Sequence, residues 1–143
     1  MMQEDIILIP GVLQLHYLEN SGAAFSILTG RLFVFYILTP LLCLLILWFF
    51  LRIPADNSRF IWLQLICILL FSGAIGNFID RIRLHYVIDF IYFSLIDFPV
   101  FNVADIYVTV AAFALVIFIL FYYKEDELSL IIPSKKSRES VDE

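Results

Sequence analysis

Three runs without a charged residue, Leu32–Leu51, Phe60–Ile79 and Ile106–Tyr123, decide what this chain can become. Each is 18 to 20 residues long, and a helix needs about 20 to cross a ~30 Å hydrocarbon core. In lipid, every backbone N–H and C=O must find its partner within the protein, which favours helices for such runs. The sequence therefore predicts a polytopic membrane protein with three transmembrane helices. Of 143 residues, 62% are hydrophobic and only 16% charged, whereas soluble domains carry about a quarter charged. The first run contains Thr39-Pro40, where a kink is expected. The second ends in Ser72, Gly73, Ala74 and Gly76, small residues that admit a close neighbour, with Ala111, Ala112 and Ala114 of the third run as expected partners. Cys43 and Cys67 lie mid-run among Leu and Ile. A nucleophilic cysteine needs a basic neighbour to form its thiolate, and none is nearby in sequence, so both read as small buried apolar residues. Their spacing suggests neither zinc nor a disulfide framework.

Lys and Arg in short loops orient the spans. Arg52 and Arg59 bound one loop, and Lys124, Lys135, Lys136 and Arg138 follow the third run. Both segments are expected on the cytoplasmic side, with Trp48, Trp62, Tyr122 and Tyr123 as interfacial aromatics. Arg81 and Arg83 oppose that placement, but Asp80, Asp89, Asp97 and Asp105 surround them. The N-terminus is then outside and the C-terminus inside. The net charge of −5 is spread between the ends and the middle, with no basic patch of the kind nucleic acid requires. Residues 1–30 are too interrupted to span. There Leu13, Leu15 and Tyr17 alternate with Gln14 and His16, a period of two that predicts a strand with His16 on its polar face. Asn20-Ser21-Gly22 is a turn signal leading into Ala23-Ala24-Phe25. No basic segment followed by an apolar core marks a cleavable signal peptide.

Two aspartates sit in costly places. Asp89 lies inside the apolar run Tyr86–Phe93, and Asp105 immediately precedes Ile106–Tyr123. A carboxylate in a membrane costs about 2.5 to 3.5 kcal/mol on insertion scales, and so marks a functional site by default. The segment 86–101 also holds Asp97 and Pro99 and cannot be a helix across lipid, so a re-entrant or interfacial course is expected. Asp97-Phe98-Pro99 reads as its turn, with Asp97 facing water, and His85 precedes it without an evident partner. Asn102 can cap the third helix with Asp105 as its reciprocal partner. Capping alone accounts for Asp105, whereas Asp89 between Ile88 and Phe90 has no such role, and burial there favours a protonated carboxyl. Asn77, Asp80 and Arg81, at i, i+3 and i+4, share one helix face. They read either as a structural ion pair or as part of a site with the two aspartates. Two carboxylates in unlike settings can divide acid and base roles, one taking a proton from water and the other polarising a carbonyl. A proton or ion pathway is the rival reading. Both residues fall at a membrane edge and no inverted repeat is visible, which favours chemistry near one surface.

Taken in order, NSGAAFSIL (20–28), GAIGNFIDR (73–81), VIDFI (87–91) and FNVAD (101–105) resemble the motifs of bacterial lipoprotein signal peptidase, the signal peptidase II family, over roughly Gly11 to Tyr123. The resemblance implies a multi-pass aspartic endopeptidase of the bacterial cytoplasmic membrane with its active site near the extracytoplasmic face. It implies cleavage of prolipoproteins before a diacylglyceryl-modified cysteine, with no metal or cofactor and with membrane lipid as surroundings. Asp89 and Asp105 would be the catalytic dyad. Asn20, Gly22, Asn77, Arg81 and Asn102 would line the substrate site, with Asp80 in support. Many relatives have glycine at the position of His85.

The resulting expectation is an all-α polytopic membrane protein with three transmembrane helices and a small extracytoplasmic β-like cradle. Residues 1–30 would form the N-terminal segment and cradle. Residues 31–123 would form the membrane domain, with the re-entrant or interfacial segment 82–104, and 124–143 a flexible cytoplasmic tail. The family has four spans, the first preceding the cradle, whereas this chain begins almost at the cradle. A second reading is therefore a catalytically impaired or non-catalytic truncated relative that binds acylated peptides or a membrane partner.

Overall fold

A computed structural model describes residues 5–22 and 30–131. The three apolar runs form the helices α1 (Leu32–Phe50), α2 (Ile61–Leu84) and α3 (Val103–Phe121). All three are long and apolar enough to span a membrane, with mean hydropathies of 2.6, 1.9 and 2.5. Their outer faces present side chains such as Leu44, Phe113 and Phe121, as expected where the surrounding solvent is lipid. Helix α2 lies between the other two and packs against both. Helix α1 continues through Pro40, although proline there cannot bond back to the Tyr36 carbonyl.

Close approach of α2 and α3 rests on glycine. A Cβ at Gly73 would stand 2.6 Å from the Ala104 carbonyl oxygen and 2.7 Å from Val108 Cγ2. At Gly76 it would stand 3.3 Å from Ala104 Cβ. The small-residue stretch thus faces Ala104, Tyr107 and Val108, one to two turns before the alanines at 111–114 expected from composition. The glycines sit in the second half of α2 and meet the first turns of α3.

Outside the spans, β1 (Ile6–Ile9), β2 (Leu13–Asn20) and β3 (Val87–Tyr92) form an antiparallel sheet in the order β1-β2-β3. The tight β1–β2 turn places Gly11 at φ 70°, a conformation that glycine adopts without a Cβ penalty. The strand expected at 11–17 is β2, shifted to Leu13–Asn20. The interfacial segment expected at 82–104 resolves into three parts. Its first residues extend α2 to Leu84, its middle is β3, and a short 3-10 turn at Ser94–Ile96 leads back towards α3. Asp97 is exposed at that turn, with φ 49°, and accepts a 2.5 Å bond from the Tyr92 hydroxyl. Ile91 and Phe101 then exchange backbone hydrogen bonds of 2.8 and 3.1 Å. That bridge sets the start of α3 beside β3.

The apolar core occupies the other end of the bundle. Ile53, Phe60, Leu63, Cys67, Tyr123 and Ile131 form one buried cluster, and Phe60 stacks on Tyr123 at 5.7 Å. Cys43 and Cys67 are both free thiols buried among these spans. Within the expected tail, Glu125–Ser129 form a short helix, α4, and Ile131 is inserted into the cluster. Arg59 fastens α4 by donating to Glu127 at 2.8 Å and to the Tyr122 carbonyl at 2.7 Å. A polar composition concealed one apolar anchor. The expected flexibility of 132–143 lies outside the described residues, as do Ala23, Ala24 and Phe25 of the first motif.

Candidate active site

Asp89 points inward from β3 and is 1% exposed, the most deeply buried charged side chain among the described residues. Three asparagines from three different elements converge on it and on Asp105. Asn20 at the end of β2 donates from Nδ2 to Asp89 Oδ2 at 2.8 Å. Asn102, the N-cap of α3, donates from Nδ2 to Asp89 Oδ1 at 2.7 Å. Asn77 of α2 donates from Nδ2 to Asp105 Oδ1 at 2.8 Å. The second oxygen of Asp105 accepts the backbone N–H of Asn102 at 3.1 Å.

Each amide has its orientation set by a donor on its other side. The Gly22 N–H bonds Asn20 Oδ1 at 2.9 Å, so oxygen must face Gly22 and nitrogen must face Asp89. The Asp105 N–H bonds Asn102 Oδ1 at 3.1 Å, completing the capping box read from the sequence. Asn102 also donates to Asn77 Oδ1 at 3.0 Å, which turns the Asn77 nitrogen towards Asp105. Every amide donor therefore faces a carboxylate or the amide beside one. Asn102 is the bridge between the two acids, with its side chain on Asp89 and its backbone N–H on Asp105.

Burial pushes the Asp89 carboxyl above its ordinary value, because a charge without water is costly. The amide bonds from Asn20 and Asn102 pull the other way, the neighbouring Asp105 adds to the rise, and Arg81 opposes it. Burial prevails. The sequence expectation that Asp89 favours its proton is in keeping with this geometry.

Arg81 and Asp80 contribute through the scaffold. Arg81 is 7% exposed. Its Nη2 donates to the Gly22 carbonyl at 2.7 Å and its Nη1 to the Asn77 carbonyl at 3.1 Å. Its Nε, buried, has no hydrogen-bond partner among the described residues. The Asp80 carboxylate accepts the Ile88 N–H at 3.3 Å, which ties β3 to α2 next to Asp89. Neither residue makes the Asp–Arg ion pair that their adjacency suggested. A cleft of about 450 Å³ opens on the sheet, walled by Asp5, His16, Leu18, Asn20, Tyr92 and the turn 97–100. It adjoins Asn20 without being lined by either carboxylate. His16 lies there and bonds Asp5 at 2.8 Å.

The sequence reading gave no site role to Phe35, Tyr36 or His85. The Arg81 guanidinium lies over the Phe35 ring at 4.3 Å. Tyr36 Oη donates to the Arg81 carbonyl at 2.9 Å and lies 3.0 Å from His85 Nδ1. His85, expected to have no partner, thus has one. It ends α2 in the left-handed region at φ 69°, a conformation in which glycine is unstrained.

A family model described as Signal peptidase (SPase) II matches residues 1–121. The chain belongs to the signal peptidase II family. A lipoprotein signal peptidase of Streptococcus pyogenes serotype M5 (strain Manfredo) is 49% identical over 109 residues, covering 76% of this chain and 70% of that relative. Its counterpart from serotype M3 (strain ATCC BAA-595 / MGAS315) is 48% identical over the same length. The fold is similar to a bacterial membrane enzyme solved by the in meso method, with TM-score 0.77 and 34% identity, covering 87% of this chain and 77% of that one. A second such structure gives TM-score 0.72 at 34% identity, covering 86% and 79%. Membership in the signal peptidase II family makes the chain a peptidase, and its three apolar helices make it an integral membrane protein.

Proposed function

We propose that this signal peptidase II family member is an aspartic endopeptidase that removes signal peptides from prolipoproteins by cleaving before a diacylglyceryl-modified cysteine, with Asp89 and Asp105 as its catalytic pair. The observation that carries the reading is the Asn102 bridge. One residue holds both carboxylates, each from a different element, at the boundary between the sheet and the helix ends. The names of the streptococcal relatives supply the substrate class.

Asp89, deeply buried, holds the proton, and Asp105, partly open, acts as base. Water between them attacks the scissile carbonyl carbon. Its proton passes to Asp105 while Asp89 protonates the carbonyl oxygen. The gem-diol then collapses. Asp105 gives its proton to the leaving nitrogen as the C–N bond breaks, and Asp89 recovers one from the hydroxyl. The oriented amides of Asn20, Asn77 and Asn102 keep both acids in place at no reorganisation cost during the reaction. The cleft beside Asn20 offers room for extended chain next to the cleaved bond.

In this proposal the sheet and both acids face the outer side of the cytoplasmic membrane. Arg52, Arg59 and α4 face the cytoplasm, in line with the bias of basic residues to that side. The membrane domain is 31–123, the segment before it supplies β1 and β2 of the cradle while β3 comes from within it, and residues from 124 follow as a cytoplasmic segment.

The test is cleavage of a synthetic diacylglyceryl prolipopeptide by the chain in proteoliposomes. The parent is expected to cleave at the cysteine. Asp89→Asn and Asp105→Asn are each expected to lose about 10²- to 10⁴-fold in kcat. Unimpaired cleavage by either variant would remove the dyad assignment. Binding without cleavage by the parent, unchanged in both variants, would instead establish a non-catalytic binder of acylated peptides.

A further inference from the structure

We propose that Tyr36 is a positioning residue for the two carboxylates, acting together with Phe35 by clasping Arg81 from helix α1. The inference rests on the aspartic peptidase reading above. Helix α1 supplies none of the hydrogen bonds that Asp89 and Asp105 accept among the described residues. Its influence runs through adjacent residues that take Arg81 at two points. Phe35 lies under the guanidinium at 4.3 Å, a cation–π contact that gains strength as water is excluded. Tyr36 donates its hydroxyl proton to the Arg81 backbone carbonyl at 2.9 Å.

From Arg81 an unbroken sequence of hydrogen bonds leads to Asp89. Arg81 Nη2 holds the Gly22 carbonyl at 2.7 Å. The Gly22 N–H fixes the Asn20 amide at 2.9 Å, and Asn20 holds Asp89 at 2.8 Å. Gly22 is thus held by its carbonyl and does the holding with its N–H, and so links Arg81 to the Asn20 amide. On the other side, Arg81 Nη1 holds the Asn77 carbonyl at 3.1 Å, and the Asn77 side chain holds Asp105. One tyrosine therefore stands upstream of both acids.

The end of α2 makes this dependence strong. Its last turn closes on His85 in the left-handed conformation, with the His85 N–H on the same Arg81 carbonyl at 3.1 Å. A single hydroxyl proton cannot serve two acceptors. Since it goes to Arg81, His85 donates Nδ1–H to Tyr36 Oη across 3.0 Å. Phenylalanine at 36 would keep the ring and its edge contact with Phe78 at 6.5 Å. It would remove the clasp on Arg81 together with the His85 bond to the same hydroxyl.

The test compares Tyr36→Phe, Phe78→Leu and Asp89→Asn with the parent, on the same lipidated peptide and across pH. Tyr36→Phe is expected to lower kcat about three- to tenfold, the effect of losing the bond that reaches Arg81, with KM within about twofold; the His85 bond lost with it leads to neither acid. A looser Asn20 bond favours the ionised Asp89 less, so the limb of the pH profile carried by Asp89 should move to higher pH. The charged groups around Asp89 are Arg81 and Asp80 from α2 and Asp105 from α3. None is altered in this variant, and β2 contributes the neutral Asn20. Phe78→Leu loosens the same helix contact while keeping the hydroxyl, and should lower the thermal midpoint without moving that limb. Parental kcat and an unmoved limb in Tyr36→Phe would overturn the proposal. So would a fall in kcat that Phe78→Leu reproduces with no limb shift in either. Undiminished cleavage by Asp89→Asn would instead overturn the dyad, whatever Tyr36→Phe does.

Discussion

At one end of the bundle the deepest side chains are Phe60, Leu63 and Ile131, each at 1% exposure or less. At the other end the deepest includes a carboxylate, Asp89, flanked by Asn102 and Arg81 at 5% and 7%. The apolar end gains stability from many small dispersion contacts, about 0.1 to 0.2 kcal/mol per atom pair, and that gain is insensitive to direction. The polar end gives up solvation for every group it buries, and recovers it only where each donor meets its acceptor. Geometry is therefore fixed where burial is least favourable. The acids sit at the end where orientation is enforced bond by bond.

The largest expected effect separates stability from chemistry. Phe60→Ala removes a fully buried ring that stacks on Tyr123, and should cost about 3 to 5 kcal/mol of stability. Thermal midpoint or denaturant titration in detergent would register the loss. The kcat of the folded fraction should stay within about twofold of the parent, since none of the site's hydrogen bonds involves this cluster. A tenfold fall in kcat of the folded fraction would break the division between the two ends.

An intermediate effect is expected where the ends are joined. Gly73→Ala sets a Cβ 2.6 Å from a backbone oxygen of α3, so the helix itself must move. Overpacking of this kind costs about 1 to 3 kcal/mol. Asp105 is the residue after Ala104, whose carbonyl would be pushed, and a displacement of about 1 Å can cost about 10²-fold in rate. Gly73→Ala should therefore lower kcat at least tenfold. Gly76→Ala, with its nearest contact a side-chain carbon at 3.3 Å, should lower it less. Equal rates in the two variants would show that the start of α3 has more freedom than its cap implies.

The apolar end and the spans were largely legible in the sequence, because hydropathy and length are local properties. So was the Asn102–Asp105 cap, whose spacing carries its own hydrogen-bond pattern. Asp89 stood out as a buried carboxylate, and the motif resemblance brought in Asn20 and Gly22. The pairing of β2 with β3 lets the Asn20 side chain reach Asp89, 69 positions away, and nothing in either segment alone announces it. Arg81 was read by its charge, yet its described hydrogen bonds go to backbone carbonyls, which have no sequence signature. Tyr36 was passed over as one more aromatic residue in an apolar run. A signal was available, since a partly buried tyrosine hydroxyl needs a partner and Tyr36 is placed near the same end of the bundle as Arg81.

The smallest expected effect is a difference in sign between the two ends as pH changes. Asp89 has a folded pKa raised above its ordinary 3.8, chiefly by burial. Its contribution to stability is fully present below about 3.8 and is lost as pH rises through the folded value. Glu127 at the apolar end is held below its ordinary 4.5, first by the Arg59 side chain and then by the Lys124 N–H. Its contribution is present above about 4.5 and lost as pH falls through the folded value. Thermal midpoints of the parent, Asp89→Asn and Glu127→Gln from about pH 3 to 8, in one detergent, measure both. The parent's stability relative to Asp89→Asn should decline with rising pH. Its stability relative to Glu127→Gln should increase, modestly, because that pair is partly open to solvent. Subtraction within each pair cancels the remaining carboxyl groups, so two slopes of the same sign would show that Asp89 is not held at the expense of its charge.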